Sequence, residues 1–596
     1  MVDGSAILAL FFSSIRSYNT YGDYYNYYLS FTMKFNSSTF FVILCTSSTA
    51  WSQETFPVFR VTPGNTSESR AHQLMTNVFP NLSYSASYND SAFIARALDN
   101  SASVELDSLS GGIWIIDETR LWNVDTRTQS LNTKNAKATA ERLIKQHGLL
   151  PNIGKPFSIE FSGLSSTGLS QEVTTNAEKL QFNQTEFQLD VSAHYSVNVN
   201  LPTVQQPIPI VGGGGNFQVI LGADNQLIGY HGVWRDVQNS GVEYKVIPKT
   251  ESDKAFQNST KDLKIVNYNS TLAYYSAPFG TYQNYLFPVY VYESTAQFGN
   301  DTVQLRHTLQ PATEFGLEEF GGCIEGLKTA TTRDPTTGNR MPRELNSRGD
   351  DDKIWEVGTE WLGVPWGLHR TQANAKGFTD GLLSDTGSSW KSNFDYGNFL
   401  VWKSDFGSND DIFVDNVDFM FYTGHANQNG WVVSDPGATA ASSSSKVEYS
   451  IVGTRPETPG DLWGNKDLEW LVIAACGPHQ DDRIAHGLGY GNAFDRWRGA
   501  FDGMHTMLAY ASNSADTAEE GKRLAKYGKQ GKTLIQAWFK TAQEVQWNDV
   551  IVSAMWAEAP GKEVRNDHLP GHGYVSADPM SSDGQTRWLM WHRVTK

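Results

Sequence analysis

Two apolar segments in the second half of the chain each end on a residue that can take part in catalysis. The first segment runs from Val417 to the glycine that precedes His425, and the second runs from Leu468 to the alanine that precedes Cys476. A short apolar run closed by glycine is typical of a buried strand. If the two strands lie side by side in a parallel sheet, their carboxyl ends share one edge, where open α/β sheets place their sites.

A histidine and a cysteine at one sheet edge predict nucleophilic catalysis through sulfur. A cysteine hydrolase needs a thiolate, a histidine that moves the proton, and backbone N–H groups that face the developing oxyanion. Ala474 and Ala475 leave room for a substrate backbone, and Gly477 permits a tight turn after the nucleophile. We therefore predict that His425 and Cys476 form a catalytic dyad.

The two segments also resemble a known class of enzymes. The residues "FMFYTGHAN" and, 51 residues on from the histidine, "WLVIAACGPH" resemble the caspase/legumain/gingipain class of cysteine peptidases. This resemblance implies an α/β three-layer sandwich with a mainly parallel sheet. It implies Cys476 as the nucleophile, His425 as the general acid/base, and the N–H groups of Ala426 and Cys476 as oxyanion donors.

The residues around the dyad complete the predicted site. We expect Gly424, Ala426, Gly477 and His479 to line it. The class usually has glycine where this chain has Ala426, and commonly a polar residue where it has Ala474. The wider C-terminal half, with "DNVDFMFYTGH", "AACGPH" and "RWRGAFDGMH", resembles an uncharacterised group of secreted proteins.

Other interpretations of the same residues stay open. Cys476 and His425 could be a core residue and a hydrogen-bonded strand cap. The protein could be a non-catalytic secreted glycoprotein that binds carbohydrate or protein, with Cys476 buried or joined to Cys323. A metallohydrolase is a third possibility, in which Cys476, His479 and another histidine bind zinc, although no clean ligand spacing is present and we expect no metal.

Composition excludes some partners. The 596 residues include 47 basic and 64 acidic side chains, a net charge of −17, with a pI near 5.2. Nucleic acids and anionic membranes both select a basic surface, so we expect neither as a partner. No segment has the length of a membrane span. We expect a peptide or protein substrate and no cofactor, and the sequence does not indicate an oligomeric state.

Export signals occur near the N-terminus. From Met33 the sequence has a basic start, an apolar core ending at Cys45, and small residues up to Ala50, as in a secretory signal peptide. Seven asparagines lie in Asn-x-Ser/Thr sequons, which are acceptors for glycosylation: Asn65, Asn81, Asn89, Asn183, Asn258, Asn269 and Asn300. We predict a secreted, extracellular glycoprotein.

The chain is too long for a single core, so we predict a multidomain protein. We expect an extra N-terminus and signal peptide over 1–52, an α+β accessory domain over 53–150 and a β-rich accessory domain over 151–329. A polar linker over 330–353 with several basic residues would precede an α/β catalytic domain over 354–596. The fold class is then N-terminal α+β modules followed by an α/β three-layer sandwich with a mainly parallel sheet.

Local patterns predict further elements of the last 245 residues. We expect helices over Asn374–Leu383, Gly499–Ala511 and Ala518–Gln546, and strands over Asn398–Trp402 and Val550–Trp556. Upstream, the segment Asn135–Gln146 reads as a helix that stops at Gly148 and Pro151.

Overall fold

The computed structural model describes residues 30–35, 38–43, 55–64, 66–89, 91–131, 133–176, 181–299, 301–316, 354–439, 441, 444–448, 462–484 and 488–595. The chain divides into two compact units, Met1–Ser52 and Gln53–Lys596. In the first unit, β1 (Ser30–Phe35) and β2 (Ser38–Ile43) form an antiparallel hairpin. Cys45, Cys323 and the predicted linker over 330–353 lie outside the described residues.

The second unit alternates strands and helices in both halves. Its helices are α1 (Glu68–Val78), α2 (Ala136–His147), α3 (Lys249–Ser259), α4 (Thr371–Leu383), α5 (Ala493–Trp497), α6 (Glu520–Lys529) and α7 (Leu534–Val545). The strands up to residue 311 are β3 (Thr55–Pro63), β4 (Tyr84–Asn89), β5 (Ala92–Ala97), β6 (Ala102–Asp107), β7 (Ile113–Asp117), β8 (Phe157–Asn176), β9 (Gln181–Val199), β10 (Ile208–Val211), β11 (Asn216–Leu221), β12 (Leu227–Gly232), β13 (Arg235–Lys245), β14 (Lys264–Tyr275), β15 (Tyr285–Phe298), β16 (Asp301–Gln304) and β17 (Thr308–Pro311). The later strands are β18 (Trp355–Trp361), β19 (Trp390–Gly397), β20 (Phe419–Thr423), β21 (Ala426–Asn427), β22 (Gly430–Ser434), β23 (Ser444–Glu448), β24 (Trp470–Ala474), β25 (Thr506–Tyr510), β26 (Val552–Glu558) and β27 (Thr586–Thr595). Among the described residues, no helix is both long and apolar enough to cross a membrane.

The N-terminal half is built on antiparallel pairs. Strands β4, β5, β6, β7, β12, β11, β9 and β8 neighbour one another in that order, each antiparallel to the next. A second set joins β13, β3, β15 and β14, and β15 also pairs with β16 and β17. Helices α1 and α2 bury Leu74 and Leu143 in the same core as Ile115 and Val219.

The C-terminal half supplies the parallel strands. Strands β19, β18, β20, β24 and β25 run parallel in that order, and β26 and β27 continue the sheet antiparallel. Strand β27 then pairs with β8, from Thr586 opposite Val173 to Thr595 opposite Leu164. The strands of the two halves therefore belong to one large mixed sheet.

The observed sheet corrects one part of the fold expectation. Helices and strands alternate as expected, but the sheet as a whole is mostly antiparallel, because the N-terminal strands follow one another through short connections. Parallel pairing is concentrated in residues 355–510, where longer crossovers join the strands, as parallel neighbours require, and β10 and β14 form a further short parallel pair. The domain boundaries at residues 150 and 329 stay predictions.

Strands β20 and β24 are buried on both faces, as near-continuous apolar runs of parallel strands usually are. On one face Phe419 and Phe421 share a core with Phe378 of α4 and Trp538 of α7, and the Phe378 and Phe421 rings stack at 4.8 Å. On the other face Met420 and Tyr422 share a core that also contains Trp431 of β22 and Trp497 of α5. Packing on both faces fixes where the two strands end.

A buried ion pair anchors the start of β24. His505 is fully buried, with Nδ1 2.5 Å from Asp567 and Nε2 3.3 Å from Asp578. The same Asp567 carboxylate accepts a hydrogen bond from the indole N–H of Trp470. Burial lowers the pKa of His505, but the two carboxylates outweigh it and raise the pKa to about 9.

We expect this pair to make stability depend on pH. Because the folded-state pKa of His505 exceeds its ordinary value of 6.5, the stabilisation is complete below pH 6.5 and is lost as pH rises through 9. The difference corresponds to on the order of 3 kcal/mol. Urea unfolding of the wild type should therefore show a larger loss of free energy between pH 6 and pH 9.5 than unfolding of His505→Gln. Equal losses in the two proteins would contradict this assignment.

Candidate functional site

The two predicted catalytic residues follow adjacent strand ends. Strands β20 and β24 pair in parallel register, with Thr423 opposite Ala474. His425 comes two residues after the first strand, and Cys476 comes two residues after the second. The prediction that these strands lie side by side and end at the same edge is confirmed.

His425 is held as a neutral, oriented imidazole. Its ring is buried, and Nε2 lies 2.8 Å from the carbonyl oxygen of Trp366. A carbonyl only accepts hydrogen bonds, so Nε2 carries the proton. Nδ1 accepts the backbone N–H of Arg306 at 3.3 Å. Burial is the main cause that lowers the pKa of His425 to about 4, so the ring is uncharged at neutral pH and the lone pair of Nδ1 serves as the acceptor of the Arg306 N–H.

Cys476 is a free, buried thiol. The residue is 1 % exposed, and its Sγ accepts the backbone N–H of Ser514 at 3.3 Å. Burial raises the pKa of the Cys476 thiol, against the smaller effects of the Ser514 hydrogen bond and of Arg306. The thiol is therefore protonated at neutral pH and is shielded from solvent.

Residues 305–307, which we call the plug segment, lie across the two strand ends. The Arg306 guanidinium is fully buried and donates to the Thr423 hydroxyl at 3.1 Å and to the Ala474 carbonyl at 2.7 Å. It also donates to both carboxylate oxygens of Glu520, at 3.0 and 3.1 Å, and to the Ala515 carbonyl. Thr423 and Ala474 each precede a predicted catalytic residue by two positions, so the guanidinium is bound between the two strands that precede the predicted dyad.

One carboxylate, that of Glu520, compensates the buried positive charge of Arg306. Burial would lower the pKa of Arg306, but Glu520 and, with smaller effects, Asp516 raise it. Glu520 is itself fully buried at the start of α6. Three neutral groups also donate to it, Asn374 at 2.6 Å, Tyr510 at 2.7 Å and Gln546 at 2.6 Å.

The other predicted site residues occupy the same region and are all buried. A side chain at Gly424 would come within 2.2 Å of the Tyr422 hydroxyl, and Gly477 has φ of +76°, so both turns need glycine. Ala426 begins β21 and pairs with Trp431. His479 is fully buried, with Nδ1 3.0 Å from the Ser553 hydroxyl, so it packs in the interior and does not line an open site mouth.

The described residues do not assemble a metal centre around the thiol. The group of three whose ligand atoms lie within 4.8 Å of one another is Asp418, Asp467 and Glu469. These residues precede β20 and β24, at the opposite edge of the sheet from Cys476. The zinc alternative built on Cys476 and His479 therefore has no cluster among the described residues to support it.

A cleft of about 380 Å³ lies beside the plug segment. It is lined by, among others, Tyr275, His307, His369, Asp516, Thr517 and Trp547. The His307 ring is 5 % exposed and packs against Trp547 at 4.6 Å. Neither of its ring nitrogens has a hydrogen-bond partner among the described residues. The cleft brings solvent close to the plug segment, although neither Cys476 nor His425 is among the described residues that line it.

Five of the seven sequon asparagines can be located. Asn81, Asn89, Asn183, Asn258 and Asn269 are all exposed, and Asn65 and Asn300 lie outside the described residues. Exposure is what a glycan acceptor requires, because the attached sugar is bulky and hydrophilic.

Sequence reasoning did not identify Arg306, Glu520, Ser514 or Trp366 as parts of the site. Arg306 and Trp366 reach the strand ends from two separate parts of the chain, and Ser514 and Glu520 reach them from a third. The "LRHTLQ" stretch that contains Arg306 has no motif to mark it, and the isolated bridge between His307 and Ala515 joins residues about 200 positions apart. The alternation of polar and apolar residues around Arg306 was the one available signal, and it predicts a strand but not a site.

Comparisons with known proteins locate a domain and do not name an activity. Residues 354–593 match the family model described as a domain of unknown function (DUF6345). No curated protein matches the chain. One similar solved structure is the crystal structure of an uncharacterized protein from Eubacterium rectale ATCC 33656, with 9% identity, coverage of 44% of this chain and 84% of that chain, and a TM-score of 0.25.

Proposed function

We propose that this protein is a secreted cysteine hydrolase of peptide bonds whose dyad, His425 and Cys476, is held closed by the plug segment. Residues 354–595 would form an α/β three-layer catalytic domain, with the five parallel strands as its central layer. The observation that carries the proposal is the state of His425. A backbone carbonyl fixes its Nε2–H, so Nδ1 is the nitrogen that would accept a proton, and His425 and Cys476 each follow the end of one of two adjacent parallel strands by two residues. A nucleophile, a base and a third group that orients the base are the parts that such catalysis needs.

The chemistry begins when Nδ1 of His425 takes the proton of the Cys476 thiol. The thiolate attacks the carbonyl carbon of the peptide bond, and backbone N–H groups at Ala426 and Cys476 stabilise the oxyanion. The C–N bond breaks, His425 returns the proton to the leaving amine, and a thioester remains on Sγ. Water then attacks the thioester while His425 takes its proton, which releases a carboxylic acid and restores the thiol. An amine in place of water would make the reaction a peptide-bond transfer.

The described arrangement accounts for why the dyad would be latent. The Arg306 N–H occupies the lone pair of Nδ1 that would accept the thiol proton. The raised pKa of Cys476 keeps its sulfur protonated, and the thiolate is the reactive form. The 306–307 main chain lies where a substrate backbone would have to approach. Displacement of the plug segment would free Nδ1 and admit water, which would remove the burial that holds both pKa values away from their usual range.

Export and glycosylation complete the proposal. The signal-like segment and the exposed sequon asparagines support a secreted glycoprotein, with residues 53–329 as accessory domains. The plug segment belongs to the second of these. An accessory region that also occludes the site would prevent hydrolysis before the enzyme reaches its place of action.

Removal of the plug contacts tests the proposal. In Arg306→Ala/His307→Pro, which we call the release variant, the guanidinium anchor is lost. The proline cannot donate the N–H that His307 gives to the Ser514 carbonyl at 3.0 Å. We expect the release variant to hydrolyse a quenched-fluorescent peptide library at least 10-fold faster than the wild type. The same variant carrying Cys476→Ala should show no hydrolysis above the no-enzyme rate, and residual hydrolysis without Cys476 would refute the proposed nucleophile.

One set of observations favours a second candidate function, a non-catalytic secreted glycoprotein. Cys476 is buried with a raised pKa, and both ring nitrogens of His425 are hydrogen-bonded to backbone. Under this alternative the cleft beside His307 would be the ligand site. The release variant separates the two: it would then remain inactive, and iodoacetamide would not alkylate Cys476 in the folded protein.

A further inference from the structure

We infer that the slot filled by Arg306 is a specificity pocket for the guanidinium of an arginine in the substrate, and that the plug segment is an internal mimic of such a substrate. The inference rests on the proposed function and deepens it, because it names the class of peptide that the site accepts. It is carried by contacts of the Arg306 side chain and of the main chain of the plug segment.

The slot has the position that a specificity pocket requires. Its walls include the Thr423 hydroxyl and the Ala474 carbonyl, and each of these residues is two positions from a member of the dyad. A side chain bound there fixes its own backbone against His425, as the 3.3 Å contact between the Arg306 N–H and Nδ1 shows. Binding and chemistry are therefore coupled through one residue.

The base of the slot is organised independently of Arg306. The Glu520 carboxylate accepts hydrogen bonds from Asn374, Tyr510 and Gln546. Asn374 is held in turn, since its Oδ1 accepts the Gly521 N–H at 2.7 Å. These neutral donors keep the carboxylate in place when the guanidinium leaves, so the vacated slot retains a fixed negative charge in a buried setting.

The main chain of the plug segment binds as an extended peptide would. The His307 N–H donates to the Ser514 carbonyl at 3.0 Å, and the Asp516 N–H donates to the His307 carbonyl at 3.2 Å. Addition of an extended peptide to an exposed strand edge is a common mode of recognition, in which main-chain hydrogen bonds give affinity and pockets give specificity. The 514–516 edge and the Glu520 slot supply these two parts. Ser514 also donates its N–H to Sγ of Cys476, so this edge adjoins the nucleophile.

The charge and shape of the slot favour arginine over its relatives. A guanidinium reaches both oxygens of Glu520 and two backbone carbonyls at once through its planar fork. Lysine offers a single ammonium and would satisfy fewer of these acceptors. A neutral side chain would leave the buried carboxylate without a cation, and sites with buried polar groups reject ligands that leave them unpaired by large factors. We expect citrulline, the neutral isostere of arginine, to be rejected at least 100-fold relative to arginine.

Direct binding to the vacated slot tests the inference without any catalysis. In Arg306→Ala, agmatine should bind and raise the Tm by several degrees, because it supplies the missing guanidinium. N-carbamoylputrescine, an isostere in which an uncharged urea replaces the guanidinium, should not, and the wild type should respond to neither compound. Arg306→Ala/Glu520→Gln is the matched control that should lose the response. Equal effects of agmatine and its isostere on Arg306→Ala would overturn the inference.

The folding of Arg306→Ala provides a second readout if the variant is unstable. Agmatine present during refolding should then increase the soluble yield, and the double variant, which buries no unpaired charge, should fold without it. If the double variant folds but agmatine does not rescue the folding of Arg306→Ala, the inference is also overturned.

Substrate choice by the release variant separates the inference from the proposed function. Peptides with arginine, lysine or citrulline at one position are compared by kcat/KM. A preference for arginine of at least 100-fold over citrulline supports the slot. Hydrolysis that depends on Cys476 but is equal for arginine and citrulline leaves the cysteine hydrolase intact and refutes the slot. Absence of hydrolysis together with agmatine binding supports the slot and refutes the hydrolase.

Discussion

Glu520→Ala is expected to destabilise the folded protein by about 3–5 kcal/mol, since it leaves the buried Arg306 guanidinium without its counter-ion. It also removes the acceptor of Asn374, Tyr510 and Gln546, and buried donors that lose their partner add to the cost. The free energy of unfolding from urea denaturation at pH 7 measures the effect. The loss should be among the largest that any single carboxylate produces in this chain.

The neighbouring residue provides the control. Glu519 lies 3.6 Å from Arg523 with a side chain that is 34% exposed, and ion pairs of that kind contribute about 0–1 kcal/mol. The free energy of unfolding of Glu519→Ala should therefore be close to that of the wild type. Arg306→Met/Glu520→Gln should recover most of the loss, because removal of both charges leaves none buried and unpaired. If Glu520→Ala and Glu519→Ala have the same free energy of unfolding, the Arg306–Glu520 pair does not hold the plug segment in place.

His425→Ala in the release variant is expected to lower kcat/KM for peptide hydrolysis by about 10²–10⁴-fold, the usual contribution of a positioned general acid/base. The rate falls because the variant lacks Nδ1 of His425, and no other group takes its place as the acceptor of the thiol proton. The pH profile should change as well, since the limb that reports deprotonation of His425 disappears. Added imidazole should restore part of the rate.

The control for this variant is a histidine on the surface of α1. The His72 side chain is 41% exposed and lies beside Glu68. His72→Ala introduced into the release variant should therefore leave the rate of peptide hydrolysis unchanged. If His425→Ala retains the full rate and the same pH profile, the assignment of His425 as the base is wrong.

The strand ends were the most predictable part of the site. The apolar runs before His425 and Cys476 predict buried strands, and parallel pairing follows because such runs leave no polar face for solvent. The structure has β20 at Phe419–Thr423 and β24 at Trp470–Ala474, within two residues of the expected ends. The partners of the dyad were not predictable, because Arg306 and Glu520 reach it through contacts between distant parts of the chain.

The helix predictions succeeded where a local signal sufficed. Helix α2 covers Ala136–His147 and ends at Gly148, with φ of +59°, close to the prediction. The segment Ala518–Gln546 was predicted as one helix and forms two. Gly531, with φ of +78°, breaks it, and Thr533 caps the second helix through the Gln536 N–H.

Two local predictions were wrong for different physical reasons. Gly499–Ala511 was predicted as a helix but contains β25 (Thr506–Tyr510), because its apolar residues are buried between β24 and β26 and tertiary pairing overrides propensity. Asn398–Trp402 was predicted as a strand but follows β19 as a turn, with Asn398 at φ of +57°. The pairing of β27 with β8 joins residues more than 400 positions apart, and no local pattern encodes it.

The most direct measurement is the mass of the enzyme during turnover. The release variant is mixed with an activated peptide ester, quenched in acid within seconds and digested for mass spectrometry. We predict one acyl group on the peptide that contains Cys476, labile to hydroxylamine as a thioester is, and absent from the Cys476→Ala variant. Turnover of the ester with no acyl group on Cys476, or at an equal rate in Cys476→Ala, would contradict the claim that this cysteine is the nucleophile.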